Sequence, residues 1–272
     1  MTDYERIYNA AIALNNTAVH LIQQRKYFEA SETLQDAIKC TKAFCNGGSG
    51  VDVPSVMQNS EYDQALEAAR FRKNDIETKV CTSSNSKYRN NILVVSDQDD
   101  PQTIYDTLEQ NRSLMCCVTI DPIEKFDMYD VDRLQVESAL IIYNFGIVHR
   151  CIAGRPAVVP SHVKDGDNAQ VITNFDVFYA SLRILDLTRC LTTNLLSALS
   201  FNGSRSLHIS SNLLLATVLV LTNLYQMSEA SCFIHATHQY YLLELSKALE
   251  LISERNLFLI SENYQISLAP AA

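Results

Sequence analysis

Between Tyr4 and Ile38, apolar or small residues recur at intervals of three and four. The first run carries Tyr4, Tyr8, Ala11, Leu14, Ala18, Leu21 and Ile22. The second carries Tyr27, Ala30, Leu34, Ala37 and Ile38. Neither contains an interior glycine or proline, and the spacing puts each set on one face of a helix. The runs meet at Arg25-Lys26-Tyr27, which predicts two short antiparallel helices. Ala18, Ala30 and Ala37 stand where the axes would approach most closely, because packed helices lie roughly 8–10 Å apart. Asn46-Gly47-Gly48-Ser49-Gly50 stops the second helix and begins a flexible turn.

This pair resembles a tetratricopeptide repeat, whose pattern runs W-x2-L-G-x2-Y and then A-x3-F. The matching residues are Leu14-x2-Thr17-Ala18-x2-Leu21 and Ala30-x3-Leu34-x2-Ala37; the signature Trp, Gly, Tyr and terminal Pro are missing. Two weaker copies follow. One joins Ile142-x2-Phe145-Gly146 to Ala180-x3-Ile184-x2-Leu187. The other joins Leu221-x2-Leu224-Tyr225 to Ala236-x3-Tyr240-x2-Leu243, with Tyr225 where a small residue is expected. Repeats of this type bury their faces only by stacking, and about three are needed. The resemblance implies an all-α fold of antiparallel helix hairpins stacked as a short irregular α-solenoid.

The segments between the copies set the expected organisation. Residues 1–45 form the first helical pair, and 46–129 a linker and insertion. Residues 130–255 are a helical region with a loop at 155–173, and 256–272 a C-terminal tail, all expected to form one structural domain. Within the insertion, helices are expected over Glu61 to Asn74 and Gln102 to Asn111. The β-prone runs Ile92-Leu93-Val94-Val95 and Met115 to Ile120 predict a small β-ribbon packed beside the helices. Leu257 to Leu268 reads as a strand or an extended docked tail.

Only 7 Gly and 6 Pro in 272 residues suit long helices, and 47% hydrophobic residues can supply a core. A net charge of −9 with no basic run argues against nucleic acid. Leu213 to Leu221 is shorter than the ~20 residues needed to span a bilayer, so a buried helix is expected and no membrane partner. The polar start and eight scattered cysteines predict reduced thiols in a cytoplasmic or nuclear protein. Cys116-Cys117 predicts one core and one surface thiol, because neighbouring strand residues face opposite ways.

Asn16, Asn144 and Asn223 recur in register, each just before the small or apolar pair of a first helix. In the family resembled, first helices line the concave groove, and an asparagine there can hydrogen-bond an extended peptide. An amide suits this because it both donates and accepts. Ile12, Val19 and Tyr143 would add apolar contacts. The positions where the family's carboxylate-binding members carry basic residues hold Ile12, Asn15, Leu140, Tyr143, Leu219 and Thr222 here, so an acidic C-terminal tail is not the expected ligand.

No cofactor or metal is implied. Cys232, His235 and His238 drift around their helix and meet a single ion poorly. The acidic turns Asp97-Gln98-Asp99-Asp100 and Asp165-Gly166-Asp167 read as solvated. No catalytic motif is present. The expected function is a protein-interaction adaptor or scaffold, not an enzyme, binding a peptide or helix on its concave surface. Asn144→Ala is then expected to weaken ligand binding with little loss of stability. The alternatives are an enzyme with its site in 88–125 or 155–173, or a structural subunit of a larger complex.

Overall fold

A computed structural model describes residues 3–45, 67, 92–95, 116–121, 131–154, 174–201, 211–230 and 237–251. The helices expected at 61–74 and 102–111, the loop at 155–173 and the tail lie outside them, residue 67 excepted.

Helices α1 (Asp3–Gln23) and α2 (Tyr27–Cys45) pack on each other across a short link. Arg25 takes a left-handed conformation there, with φ of 61°. Its N–H donates to Ile22 O (2.9 Å), and the Lys26 N–H donates to Leu21 O (2.9 Å). This paired capping closes the last carbonyls of α1 and turns the chain sharply. Tyr8, Ala11, Leu14, Ala18, Leu21, Ala30, Leu34 and Ala37 are all buried. The apolar stripes read from the sequence are therefore the faces that pack.

Strands β1 (Ile92–Val95) and β2 (Cys117–Ile120) follow, then α3 (Val131–Ala153), α4 (Asn174–Phe201), α5 (Ser211–Ala230) and a sixth helix, α6, over residues 237–251. Each helix from α1 to α4 packs on the next, and α3 also touches α1 and α5. The described residues are predominantly helical, and their helices pack against neighbours. The strands pair in parallel, with Ile92 opposite Cys117 and Val95 opposite Ile120. Parallel strands require a crossover, so this is not a simple hairpin ribbon. β2 lies against the helices, as expected, and packs on both α1 and α3.

α3 has neighbours on nearly every side. Ser138, Ala139, Leu140, Ile141, Tyr143, Asn144, Gly146, Ile147 and Val148 are buried, and together they cover most of the helix circumference. Arg133–Ala153 is long and apolar enough to cross a membrane by length and composition, but 61% of its apolar window is buried inside the fold. Leu213 to Leu221 is a buried stretch of α5, as its composition predicts.

On α4 and α6 the buried face sits one residue beyond the expected register. Leu187, Tyr240 and Leu243 are exposed, while Ser181, Leu185, Thr188 and Tyr241 are buried. Polar side chains tolerate the interior here because local carbonyls satisfy them. Thr188 Oγ1 donates to Ile184 O (2.8 Å) and Thr192 Oγ1 to Arg189 O (3.1 Å). Ser181 Oγ donates across to Gly146 O (2.8 Å).

That bond marks the close approach of α3 and α4. A Cβ added at Gly146 would lie 2.8 Å from Leu185 Cδ2 and 2.9 Å from its Cγ. Leu185 is fully buried, so it has little room to yield. Gly146→Ala is expected to lose about 1–3 kcal/mol of stability from this overpacking. Denaturant melts check this, and combining it with Leu185→Ala should cost less than the sum of the two single changes.

Candidate functional site

β2 poses a problem that the helices solve. In an extended strand the N–H and C=O of one residue point to the same edge, and those of the next residue to the other. The edge of β2 formed by Cys117 and Thr119 is free to pair with β1. The edge formed by Cys116, Val118 and Ile120 faces helices, and no second strand lies along it among the described residues. A buried peptide group without a partner is costly, about 1–3 kcal/mol each.

Side-chain amides take the place of the missing strand. Ile120 N–H donates to Asn16 Oδ1 (2.9 Å), and Asn16 Nδ2 donates to Ile120 O (2.8 Å). Val118 N–H donates to Asn144 Oδ1 (2.9 Å), and Asn144 Nδ2 donates to Val118 O (2.7 Å). Each amide thus imitates a peptide group, donating and accepting at one residue. Asn15 Nδ2 adds a bond to Val118 O (3.0 Å) and one to Asn16 Oδ1 (3.2 Å), and Asn144 Nδ2 donates to Asn15 Oδ1 (2.8 Å). The three asparagines form one connected network from α1 to α3.

Cys116 is held differently. Its carbonyl accepts from the Tyr143 hydroxyl (2.9 Å), which accepts from Asn223 Nδ2 (3.1 Å). Asn223 Nδ2 also donates to Leu219 O (2.9 Å), and its Oδ1 accepts from Arg150. Arg150 further donates to Gln226 Oε1 (3.2 Å). Burial pushes the Tyr143 phenol well above its ordinary pKa, so it remains a neutral donor.

The structure therefore brings Asn16, Asn144 and Tyr143 onto one extended backbone, which belongs to this chain. Asn223 reaches it only through Tyr143. Ile12 and Val19 are buried members of the same core as β2. Asn15 and Arg150 are participants that the repeat pattern did not single out. Asn15 is adjacent to a recurrent asparagine, and that doublet was the available signal. Arg150 lies outside the positions compared with the repeat family.

Two expectations change. Asn144 is fully buried and holds β2, so its replacement will not leave stability untouched. Cys116 and Cys117 are both buried, because both faces of the strand are covered. Burial raises both thiols; the nearby Cys151 and Cys116 push Cys117 further.

Of the Cys232, His235 and His238 trio only His238 is described. Its ring stacks on Tyr225 at 4.3 Å, and its Nδ1 lies 3.2 Å from Ser228 Oγ. No cluster of three metal-ligating side chains occurs among the described residues. The acidic turns at 97–100 and 165–167 lie outside them. An open cleft of about 600 Å³ along α4 is lined by Phe175, Asp176, Tyr179, Ala180, Arg183 and Ile184. Its ionisable side chains are Asp176, Tyr179 and Arg183.

Compared with family models, curated proteins and solved structures, the chain matches none.

Asn144→Ala should cost about 1–3 kcal/mol in a chemical melt, because it strips partners from buried Val118. Asn16→Ala should cost less, since water can reach its half-exposed site. The thiols give a pH test. Burial raises Cys40 from 9.0 to about 12, with Asp36 adding to the rise. Between these values the folded chain keeps a proton that the unfolded chain has released. Stability should therefore fall as pH rises above 9, as measured by melting temperature, and Cys40→Ala should flatten the fall.

Proposed function

We propose that this chain is a protein-binding adaptor, a short irregular α-solenoid of tetratricopeptide-like helix pairs whose inner face grips an extended polypeptide backbone. Neighbour-to-neighbour packing from α1 to α5, with α3 also touching α1 and α5, supports the stacked arrangement. The observation that carries the proposal is the docking of β2. The side-chain amides of Asn16 and Asn144 each bond both backbone groups of one residue in an extended segment.

Such a clamp reads backbone, not sequence. Selectivity would come from the side chains at alternate positions, as in other modes of strand capture. β2 is then the in-chain occupant, and a protein partner would present a similar extended segment to the same amides. The mechanism is equilibrium exchange without chemistry, needing no cofactor. Free thiols at Cys40, Cys116, Cys117, Cys151 and Cys190 suit a reducing compartment such as the cytoplasm or nucleus.

The test uses the full chain with Val118→Pro, which removes the N–H that Asn144 accepts and loosens the resident strand. A labelled peptide of residues 114–122, with both cysteines replaced by serine, is titrated in fluorescence anisotropy. Expected is saturable binding, at least about tenfold tighter than to the unmodified chain, and weakened again by adding Asn16→Ala. Hydrogen exchange on the unmodified chain provides an independent check. The Val118 and Ile120 amides should exchange through a local opening, faster than those of Leu140 and Leu219. A folded Val118→Pro chain that binds no peptide, or exchange of these amides only on global unfolding, would make the ladder a fixed brace and overturn the proposal.

A further inference from the structure

Followed from Ile120 back to Cys116, the partners of β2 move from Asn16 on α1 to Asn144 and Tyr143 on α3, and through Tyr143 to Asn223 on α5. Beside Asn223, at the far end of this path, stands the half-buried guanidinium of Arg150.

Its surroundings differ from those of Arg189 and Arg133. Arg189 Nε lies 2.8 Å from Asp186 Oδ1, and Arg133 Nε lies 3.0 Å from Glu137 Oε1. Arg150 instead donates to two neutral amide oxygens, those of Asn223 and Gln226. The ionisable groups acting on it are the Tyr143 hydroxyl and the Cys151 thiol. No carboxylate pairs with it among the described residues. Burial draws its pKa below the ordinary value, the direction expected for a cation whose lost hydration is incompletely replaced.

We propose that Arg150 forms a subsite for an oxyanion, a carboxylate or phosphoryl group carried by the segment captured on the inner face. The source of the anion rests on the adaptor reading; the site itself does not. A guanidinium has five N–H donors. Two amides fix its plane and leave further donors for an incoming oxyanion, so little additional ordering is needed. Partial burial strengthens such a charge-assisted bond over the same contact at an open surface. Asn223 joins this subsite to the backbone clamp, since one amide touches both Arg150 and Tyr143.

The experiment follows isotope-labelled arginine side-chain NMR signals of the full chain at near-neutral pH and constant ionic strength. Inorganic phosphate is titrated in one arm and acetate in another, with chloride as the balancing salt. Arg150→Gln identifies the signal. Expected is a saturable shift of Arg150 in at least one arm, larger than that of exposed Arg183. The arm with the tighter response distinguishes phosphoryl from carboxylate. Arg150→Lys, which keeps the charge but loses the planar fork, should weaken anion binding about tenfold. A shift no greater than that of Arg183 in both arms overturns the subsite. Saturable anion binding alongside failure of the peptide titration would retain the subsite and reject the adaptor. Where a variant fails to fold, triple-resonance assignment of the unmodified protein identifies the Arg150 signal instead.

Discussion

The inner edge of β2 must be satisfied away from bulk water, and the fold around it answers that constraint. β1 can serve only the opposite edge. The helices cannot supply backbone groups, because their own are engaged within each helix. Side-chain amides resolve this. Asparagine is short enough to keep the strand close to the helix and has the donor and acceptor of a peptide group. A serine would offer one oxygen, and an ionised aspartate no donor. The cost is that several polar side chains are drawn into the core, where each must also satisfy the others. Asn15, Asn16 and Asn144 do so by bonding one another as well as the strand.

That network also explains why the helices hold their places. α1 and α3 belong to different helix pairs, yet Asn15 and Asn144 join them directly. α5 is joined to α3 by the chain of bonds from Tyr143 through Asn223 to Arg150. Apolar packing alone would allow some sliding of one helix past another. Directional bonds to successive residues of one strand set the register of the helices more narrowly. The same side chains thus serve both the fold and the candidate site, and a change in one affects the other.

The first helix pair was legible because both helices are amphipathic and adjacent in sequence. α3 and α5 were legible as helices but not by face, since both are heavily buried. α4 and α6 misled by one residue for a specific reason. Leu187, Tyr240 and Leu243 are apolar but exposed, whereas Ser181 and Thr188 are polar but buried and locally bonded. A reading that equates apolar with inside must miss that register. The parallel pairing of β1 with β2 depends on contacts distant in sequence, and no local pattern encodes it. The recurrence of Asn16 and Asn144 was visible; that the backbone they hold is the chain's own was not.

An amide clamp also differs from an apolar groove in what it asks of an occupant. An apolar groove rewards side chains and tolerates any backbone that can present them. Here the backbone itself must be extended, with free N–H and C=O groups at alternate residues, so a helix is a poor occupant and a proline at the Val118 position a disqualifying one. The apolar side chains of β2, buried at Val118 and Ile120, then add stability without setting the geometry. Arg150 extends this logic beyond the strand. It is held by the asparagine that also bonds Tyr143, so the proposed charge recognition and the proposed backbone recognition would share a support.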